Sequence, residues 1–127
     1  MKKIIHSSKG PRAIGPYSPA VKVGNMIFIS GQIPLDPTTG QMASGTIEEQ
    51  TELVIRNLTA LLEDSAATLL DVVRTTVFLT DLNDFEGMNA VYSKFFGVNP
   101  PARSTVGVAS LPKGSKVEID AIAIIAG

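Results

Sequence analysis

The segment that most restricts how this chain can fold is KVEIDAIAII, residues 116–125, because it alternates like a β-strand yet is apolar on both sides. One side of this strand is wholly apolar and consists of Val117, Ile119, Ala121, Ala123 and Ile125. The other side combines two carboxylates, Glu118 and Asp120, with Ile122 and Ile124. A sheet built around this strand therefore has apolar surface to cover on both faces.

Two segments with helical periodicity are available to cover one of those faces. The first spans residues 46–66 and repeats apolar side chains at the helical period, namely Ile47, Val54, Ile55, Leu58, Leu61 and Leu62. Thr46, followed three residues later by Glu49, predicts a capping box at its start, which satisfies the free amides there.

The second predicted helix spans about 84–96. Its apolar side consists of Phe85, Met88, Tyr92, Phe95 and Phe96. Asn83 and Glu86 repeat the capping pattern at its start, and Gly97 predicts its end.

The other regular segments are β-type, and they complete an α+β domain. AVKVGNMIFISG predicts two strands around a turn at Gly24-Asn25, and further strands are predicted at 72–80, about 103–109 and 116–125. The order β-β-α-β-α-β-β predicts one mixed sheet with both helices on one face. The length of 127 residues fits a single domain over residues 1–127. Because two helices cover one face only, we expect a closed homo-oligomer to bury the other.

Composition excludes several kinds of chemistry. The chain has no cysteine, so disulfides, thiolate nucleophiles and cysteine-based metal sites are excluded. His6, which we place in a first strand near the N-terminus, is the only histidine; this disfavours a Ser-His-Asp triad or a histidine-rich metal site. No phosphate-binding glycine motif occurs. We therefore expect neither a cysteine- or histidine-based metal site nor a nucleotide-phosphate loop.

Charge and hydropathy disfavour two classes of partner. The 11 basic and 12 acidic residues give a net charge of −1, and the basic residues are scattered rather than clustered. Nucleic-acid binding needs a basic face, so we do not expect it. The N-terminus lacks the apolar run of a signal peptide, and no stretch reaches transmembrane length, so we expect no membrane association and a cytoplasmic location.

A few polar residues stand in otherwise apolar surroundings and are candidates for a binding site. They are Tyr17 in IGPYSPA, Ser30 and Gly31 in FISGQIP, Asn89 on the second helix, Arg103 and Thr105 at the start of a strand, and Glu118 on the last strand. Structural roles remain open for most of them: Tyr17 as a packed aromatic, Ser30-Gly31 as a strand exit, and Asn89 as part of a solvated face. Glu118 has the alternative of reaching water or pairing with a lysine.

Arg103 and Glu118 are the two ionisable candidates, and simple topology separates them. A hairpin turning near Pro112-Lys113 would pair Glu118 with about residue 108, roughly 17 Å along the strand from Arg103 at about 3.3 Å per residue. The two side chains meet around one ligand only if their strands are not hairpin neighbours, or if two subunits contribute.

Five strings of the sequence resemble the RidA family, the YjgF-like reactive-intermediate deaminases. These strings are AIGPYSPAV, MIFISGQIPLDPTTG, VVRTTVFLTDLNDFEGMNAVY, PPARSTV and LPKGSKVEIDAIA, and they cover nearly the whole chain. The resemblance implies a chorismate-mutase-like fold that assembles as a homotrimer with ligand clefts between subunits. It also implies hydrolysis of short 2-imino acids, such as 2-aminoacrylate and 2-iminobutanoate, to 2-oxo acids and ammonia without a cofactor.

The resemblance carries roles onto particular residues. Arg103 resembles the arginine that holds the substrate carboxylate, and Glu118 resembles the carboxylate that orients the attacking water or moves its proton. The residues that match positions lining the cleft are Tyr17, Ser30, Gly31 and Asn89. The family commonly has a cysteine where this chain has Thr105, which removes any thiol chemistry. The backbone N–H of residue 105 can still bind a carboxylate, so we expect activity to survive with altered selectivity.

A second function remains open beside the deaminase. This alternative is a non-catalytic trimer that binds small carboxylates or protein partners as a regulator. Some members of the family have been described as translation inhibitors or ribonucleases, but the scattered basic residues and the single peripheral histidine disfavour RNA cleavage here.

Overall fold

The computed structural model describes residues 1–126 and contains six strands and two α-helices. The strands are β1 (Lys3–Ile5), β2 (Ala20–Val23), β3 (Met26–Gln32), β4 (Val72–Leu79), β5 (Ala102–Gly107) and β6 (Val117–Ile124). The helices are α1 (Ile47–Asp64) and α2 (Phe85–Phe96), and short 3₁₀ turns span Leu69–Asp71, Leu82–Asp84 and Pro112–Gly114. The predicted order omitted β1, and His6, which was expected in a first strand, lies just after it.

All six strands form one mixed sheet in the order β1-β2-β3-β6-β4-β5. The β4–β5 pair is parallel, and the other neighbouring pairs are antiparallel. β4 therefore separates β5 from β6, so these two strands are not hairpin neighbours, which is one of the two possibilities that the sequence left open. The connection through α2 explains the parallel β4–β5 pair, because parallel neighbours require a crossover.

The two helices pack on one face of the sheet, as predicted. The apolar residues predicted for α1 are all buried, and Thr46 and Glu49 form the capping box. The apolar residues of α1 pack against the buried side of β6, including Val117 and Ile119, and against buried residues of β4 such as Val77. The core lies between this helix layer and the sheet.

The start of α2 differs from the prediction. Asp84 is its N-cap and makes no side-chain capping bond, so the expected capping pair of Asn83 and Glu86 is wrong. Instead, the Asp81 side chain accepts a hydrogen bond from the Asn83 amide and caps the 3₁₀ turn that precedes the helix. Phe85 also departs from the predicted apolar side, because it stays 38% exposed.

The opposite face of the sheet has no covering element among residues 1–126. Its exposed apolar side chains come from four strands and are Ile4, Met26, Phe28, Val106 and Ile124. We call this surface the open face. It agrees with the expectation from residues 116–125 that one apolar face remains beyond the reach of the helices.

A β-bulge interrupts β3 at Ser30 and Gly31, which were expected to end the strand. Ile29 pairs with Ala121 and Gln32 pairs with Ile119, so two residues of β3 stand opposite one residue of β6. Bulges re-aim side chains and frequently lie beside functional sites. Here the bulge lies beside the start of β6, where Glu118 lies.

Candidate functional site

Arg103 projects toward the helix layer from β5, which is an edge strand. It pairs with the fully buried Thr75 of β4, and paired residues share a face of the sheet. The guanidinium carbon lies 4.7 Å from the centre of the Tyr92 ring and 5.6 Å from that of Phe85. Both distances are typical of cation–π contacts. The two rings therefore hold the guanidinium at the outer edge of α2.

Asn89 completes this arrangement. Its Oδ1 accepts a hydrogen bond of 2.8 Å from Nη1 of Arg103. Tyr92 is itself fixed, since its hydroxyl is 2.7 Å from Oγ1 of buried Thr75, and burial raises the pKa of this phenol. A guanidinium has five N–H donors, and within residues 1–126 Arg103 has no carboxylate partner. Arg103 is therefore a half-buried cation that is held in place and still has N–H donors available for a ligand.

Glu118 lies on the other side of the sheet. It pairs with Phe78, whose neighbours Val77 and Leu79 are buried on the helix side, so Glu118 faces the open side. Its carboxylate packs directly on the backbone of Gly31 in the bulge, where only a residue without a side chain leaves room for it.

A cavity of about 260 Å³ adjoins Glu118 and Gly31 at the end of the sheet. Tyr17 lines this cavity and is 53% exposed. The alternative that it is a packed aromatic in the core is therefore wrong. Ser30 is not among the lining residues; its hydroxyl donates a hydrogen bond of 2.6 Å to the Ser18 carbonyl. Ser30 thus holds the loop that presents Tyr17.

The environment of Glu118 favours its protonated form. Partial burial is the main cause that raises the pKa of this carboxyl above its ordinary value, and the negative charge of Asp120 adds to it. A carboxyl group with a raised pKa beside a cavity is typical of a group that accepts and returns a proton.

One chain does not bring Arg103 and Glu118 together. Two strand spacings and three residues separate them, because Glu118 is in register with Val106 across β4. This places their Cα atoms roughly 14 Å apart. Their side chains also point to opposite faces. The sequence left two possibilities open: the two strands are not hairpin neighbours, or two subunits contribute. The strands are indeed separated by β4, but this separation does not bring the two side chains together.

Thr105 shares the helix-facing side with Arg103, as their spacing predicted. It pairs with Val77, and its Oγ1 is buried with no hydrogen-bond partner among the described residues. A buried hydroxyl without a partner costs about 1–3 kcal/mol.

Several site residues were not foreseen from the sequence. Phe85 and Tyr92 were assigned to the core side of α2, yet they hold Arg103. Their spacing of four and three residues around Asn89 places all three on one helical face, and this signal could have grouped them. The cavity also includes Arg12 and Lys113, which come from loops without any local pattern.

The described residues give no sign of a metal site or a membrane helix. Within residues 1–126, no three His, Cys, Asp or Glu side chains cluster so that they could hold a metal ion. No helix in that part of the chain combines the length and the apolar character needed to span a bilayer.

We predict that Gly31→Ala inactivates the site while the fold is retained. A β-carbon at residue 31 would lie 2.8 Å from Cδ of Glu118 and closer still to its carboxylate oxygen. The obstacle is the end of a flexible side chain, so the carboxylate moves rather than the backbone. Misplacing a reacting group by about 1 Å can cost around 100-fold in rate. We therefore expect kcat to fall by about that factor, with Tm nearly unchanged.

A double variant provides the control for this prediction. If Gly31→Ala acts by displacing the carboxylate, adding it to Glu118→Gln should lower kcat little further, because both changes remove the same group. Full activity of Gly31→Ala, or additive losses in the double variant, would contradict the interpretation.

Comparison with known proteins places the chain in a family. The endoribonuclease L-PSP family matches residues 7–125. A RutC family protein of Pyrococcus abyssi is 55% identical over 122 residues, which cover 96% of each chain. The human 2-iminobutanoate/2-iminopropanoate deaminase is 45% identical over 124 residues, covering 98% of this chain and 90% of the human one.

A solved structure gives the same fold. The Escherichia coli protein TdcF, crystallised with bound serine, superimposes with a TM-score of 0.92 at 43% identity and covers 98% of this chain and 99% of its own. Sequence and fold thus agree over almost the full length of both proteins. The chain belongs to the endoribonuclease L-PSP family, which is also called the YjgF/RidA family.

Proposed function

We propose that this protein hydrolyses short 2-imino acids, or the enamines from which they form, to 2-oxo acids and ammonia. The observation that carries the proposal is the guanidinium of Arg103, which is held by Asn89, Tyr92 and Phe85 but has no anion among the described residues. Such a group suits a small carboxylate, which it binds through two parallel hydrogen bonds. The name of the human relative and the serine bound to TdcF support this substrate class.

We infer further that the complete site combines two copies of the chain in a homotrimer. Arg103 and Glu118 face opposite sides of one sheet, so one half of the site comes from one copy of the chain and the other half from a second copy. The open face offers apolar surface to a second copy, which would bring its arginine toward the cavity beside Glu118. The family resemblance supports three clefts in a closed ring.

The proposed reaction needs few groups. Arg103 binds the substrate carboxylate, and Tyr17 and Gly31 border the cavity that receives the rest of the molecule. A water oxygen attacks the imine carbon while Glu118 takes one of the protons of the water. Glu118 then returns the proton to nitrogen, which gives a carbinolamine. It next takes the remaining hydroxyl proton and delivers it to the same nitrogen, so the carbon–nitrogen bond breaks and ammonia leaves as the carbonyl forms. Imines hydrolyse readily, so positioning supplies most of the required acceleration.

The test is turnover of an imine made in place. A serine or threonine dehydratase supplies the enamine, and semicarbazide traps the imine that escapes hydrolysis. We expect the purified protein to lower semicarbazone formation in proportion to its concentration. Saturable binding of 2-oxo acids without turnover would instead support the alternative of a non-catalytic, regulatory trimer. Absence of both would refute the proposal.

A further inference from the structure

The cavity beside Glu118 carries two cations that the proposed hydrolysis of short, uncharged side chains does not use. Arg12 and Lys113 both line it, Arg12 from the segment between β1 and β2 and Lys113 from the 3₁₀ turn Pro112–Gly114. Neither side chain forms a hydrogen bond or an ion pair with any residue in the described range 1–126. One carboxylate, that of Glu118, therefore stands against two unpaired cations in the same cavity.

Lys113 is placed there by an unusual backbone. Its φ of 57° and ψ of 23° lie in the left-handed region, which residues other than glycine, asparagine and aspartate seldom adopt. Gly114 follows with a φ of 70°. A turn held in this way directs the lysine to the cavity at some cost in backbone energy, as is common at binding sites.

The charges and the size of the cavity indicate what completes it. At about 260 Å³ it is smaller than the roughly 300–1,000 Å³ of typical ligand pockets, so it suits a compact metabolite. In the proposed site Arg103 of a second copy neutralises the substrate carboxylate. The surplus positive charge of Arg12 and Lys113 then faces the other end of the substrate.

We propose that this protein prefers 2-imino acids that carry a second carboxylate, with Arg12 and Lys113 as the specificity-determining pair. This inference rests on the proposed function and names the substrate class within it. The step is unchanged: water adds to the imine carbon, the carbon–nitrogen bond breaks, and a 2-oxo dicarboxylate and ammonia are released. The 2-imino acids derived from aspartate and from alanine are the matched pair of substrates, since they differ by one carboxylate.

The test compares these two imines, each made in place by an amino-acid oxidase and followed by semicarbazide trapping. We expect wild-type kcat/KM to be several-fold to about tenfold higher for the dicarboxylic imine, the range that one or two exposed ion pairs can supply. Arg12→Ala and Lys113→Asn should each lower this ratio, and the double variant should bring it near one. Asparagine is chosen because it tolerates the left-handed backbone. Lys2→Ala, which removes an exposed cation away from the cavity, should leave the ratio unchanged.

Ionic strength gives a second readout. Charges on the rim are screened at high salt, so the preference should shrink as salt is added, whereas a preference due to shape would not. Turnover of the alanine-derived imine with no preference for the dicarboxylic one, or a preference that survives both substitutions, would overturn this inference but leave the proposed function intact. Turnover of neither imine would refute the proposed function itself.

Discussion

Arg103→Ala should lower kcat/KM for a small imino acid by about 100- to 1,000-fold. That factor corresponds to the loss of roughly 3–4 kcal/mol, within the range for removing one partner of a desolvated charge pair. The groups around the arginine do not depend on it: Tyr92 stays bonded to Thr75, and Asn89 becomes solvated. The folded chain and the mass of its oligomer should therefore be unchanged.

Two variants separate carboxylate binding from mere positive charge. Arg103→Lys keeps the charge but not the planar pair of donors, so it should recover little of the lost kcat/KM. Arg56→Ala removes an exposed arginine whose ion pair with Glu52 lies on α1, and it should leave kcat/KM unchanged. Steady-state kinetics measures kcat/KM of each variant, and size-exclusion chromatography measures the mass of its assembly. Near-normal activity of Arg103→Lys would show that the planar pair of N–H donors of the guanidinium is not needed to bind the carboxylate.

The second large effect is expected at Glu118. Glu118→Gln retains the shape of the side chain but cannot accept a proton, and general-base groups contribute about 100- to 10,000-fold. Because imines already react with water, we expect a loss near the lower end, mainly in kcat. Glu86→Gln, on an exposed first turn of α2, is the matched control and should be neutral.

The pH dependence of activity should reflect the ionisation of Glu118. Burial, together with the charge of Asp120, raises the pKa of Glu118, so its protonated form persists to higher pH than in an ordinary glutamate. In the proposed reaction the carboxylate is the base, so activity should rise as pH increases through this pKa and fall below it. In Glu118→Gln this acid limb should be absent. An unchanged acid limb in that variant would assign the limb to another group.

The elements were predictable because they depend on local periodicity. The two α-helices and the strands β4 to β6 begin and end within about two residues of the predicted positions, since apolar repeats and glycine turns fix them. β1 was omitted from the order because three residues carry no clear alternation. The predicted capping of α2 was wrong because the Asp81 side chain accepts from the Asn83 amide, the group that the capping pattern assigns to Glu86, and the helix begins after Asp84.

The site was less predictable because it depends on which strands are neighbours. Arg103 and Glu118 were candidates from the sequence, but the sequence did not specify whether their strands are neighbours, and β4 lies between them. Their opposite faces follow from register, which no local pattern specifies. Arg12 and Lys113 reach the cavity through loops, and only the tertiary structure brings them together.

The measurement that tests the central claim most directly is complementation between Arg103→Ala and Glu118→Gln. The two inactive chains are co-expressed with different affinity tags, and assemblies that carry both tags are isolated. In the proposed homotrimer, a mixed assembly has one site with the arginine of the Glu118→Gln chain and the glutamate of the Arg103→Ala chain, so about one third of wild-type activity should return.

The comparison that gives this result its meaning is simple. Separately purified variants, mixed without exchange of subunits, should stay inactive. If Arg103 and Glu118 acted within a single chain, every site in the mixed assembly would lack one of them. Mixed assemblies that remain as inactive as either variant alone would contradict a site shared between two copies.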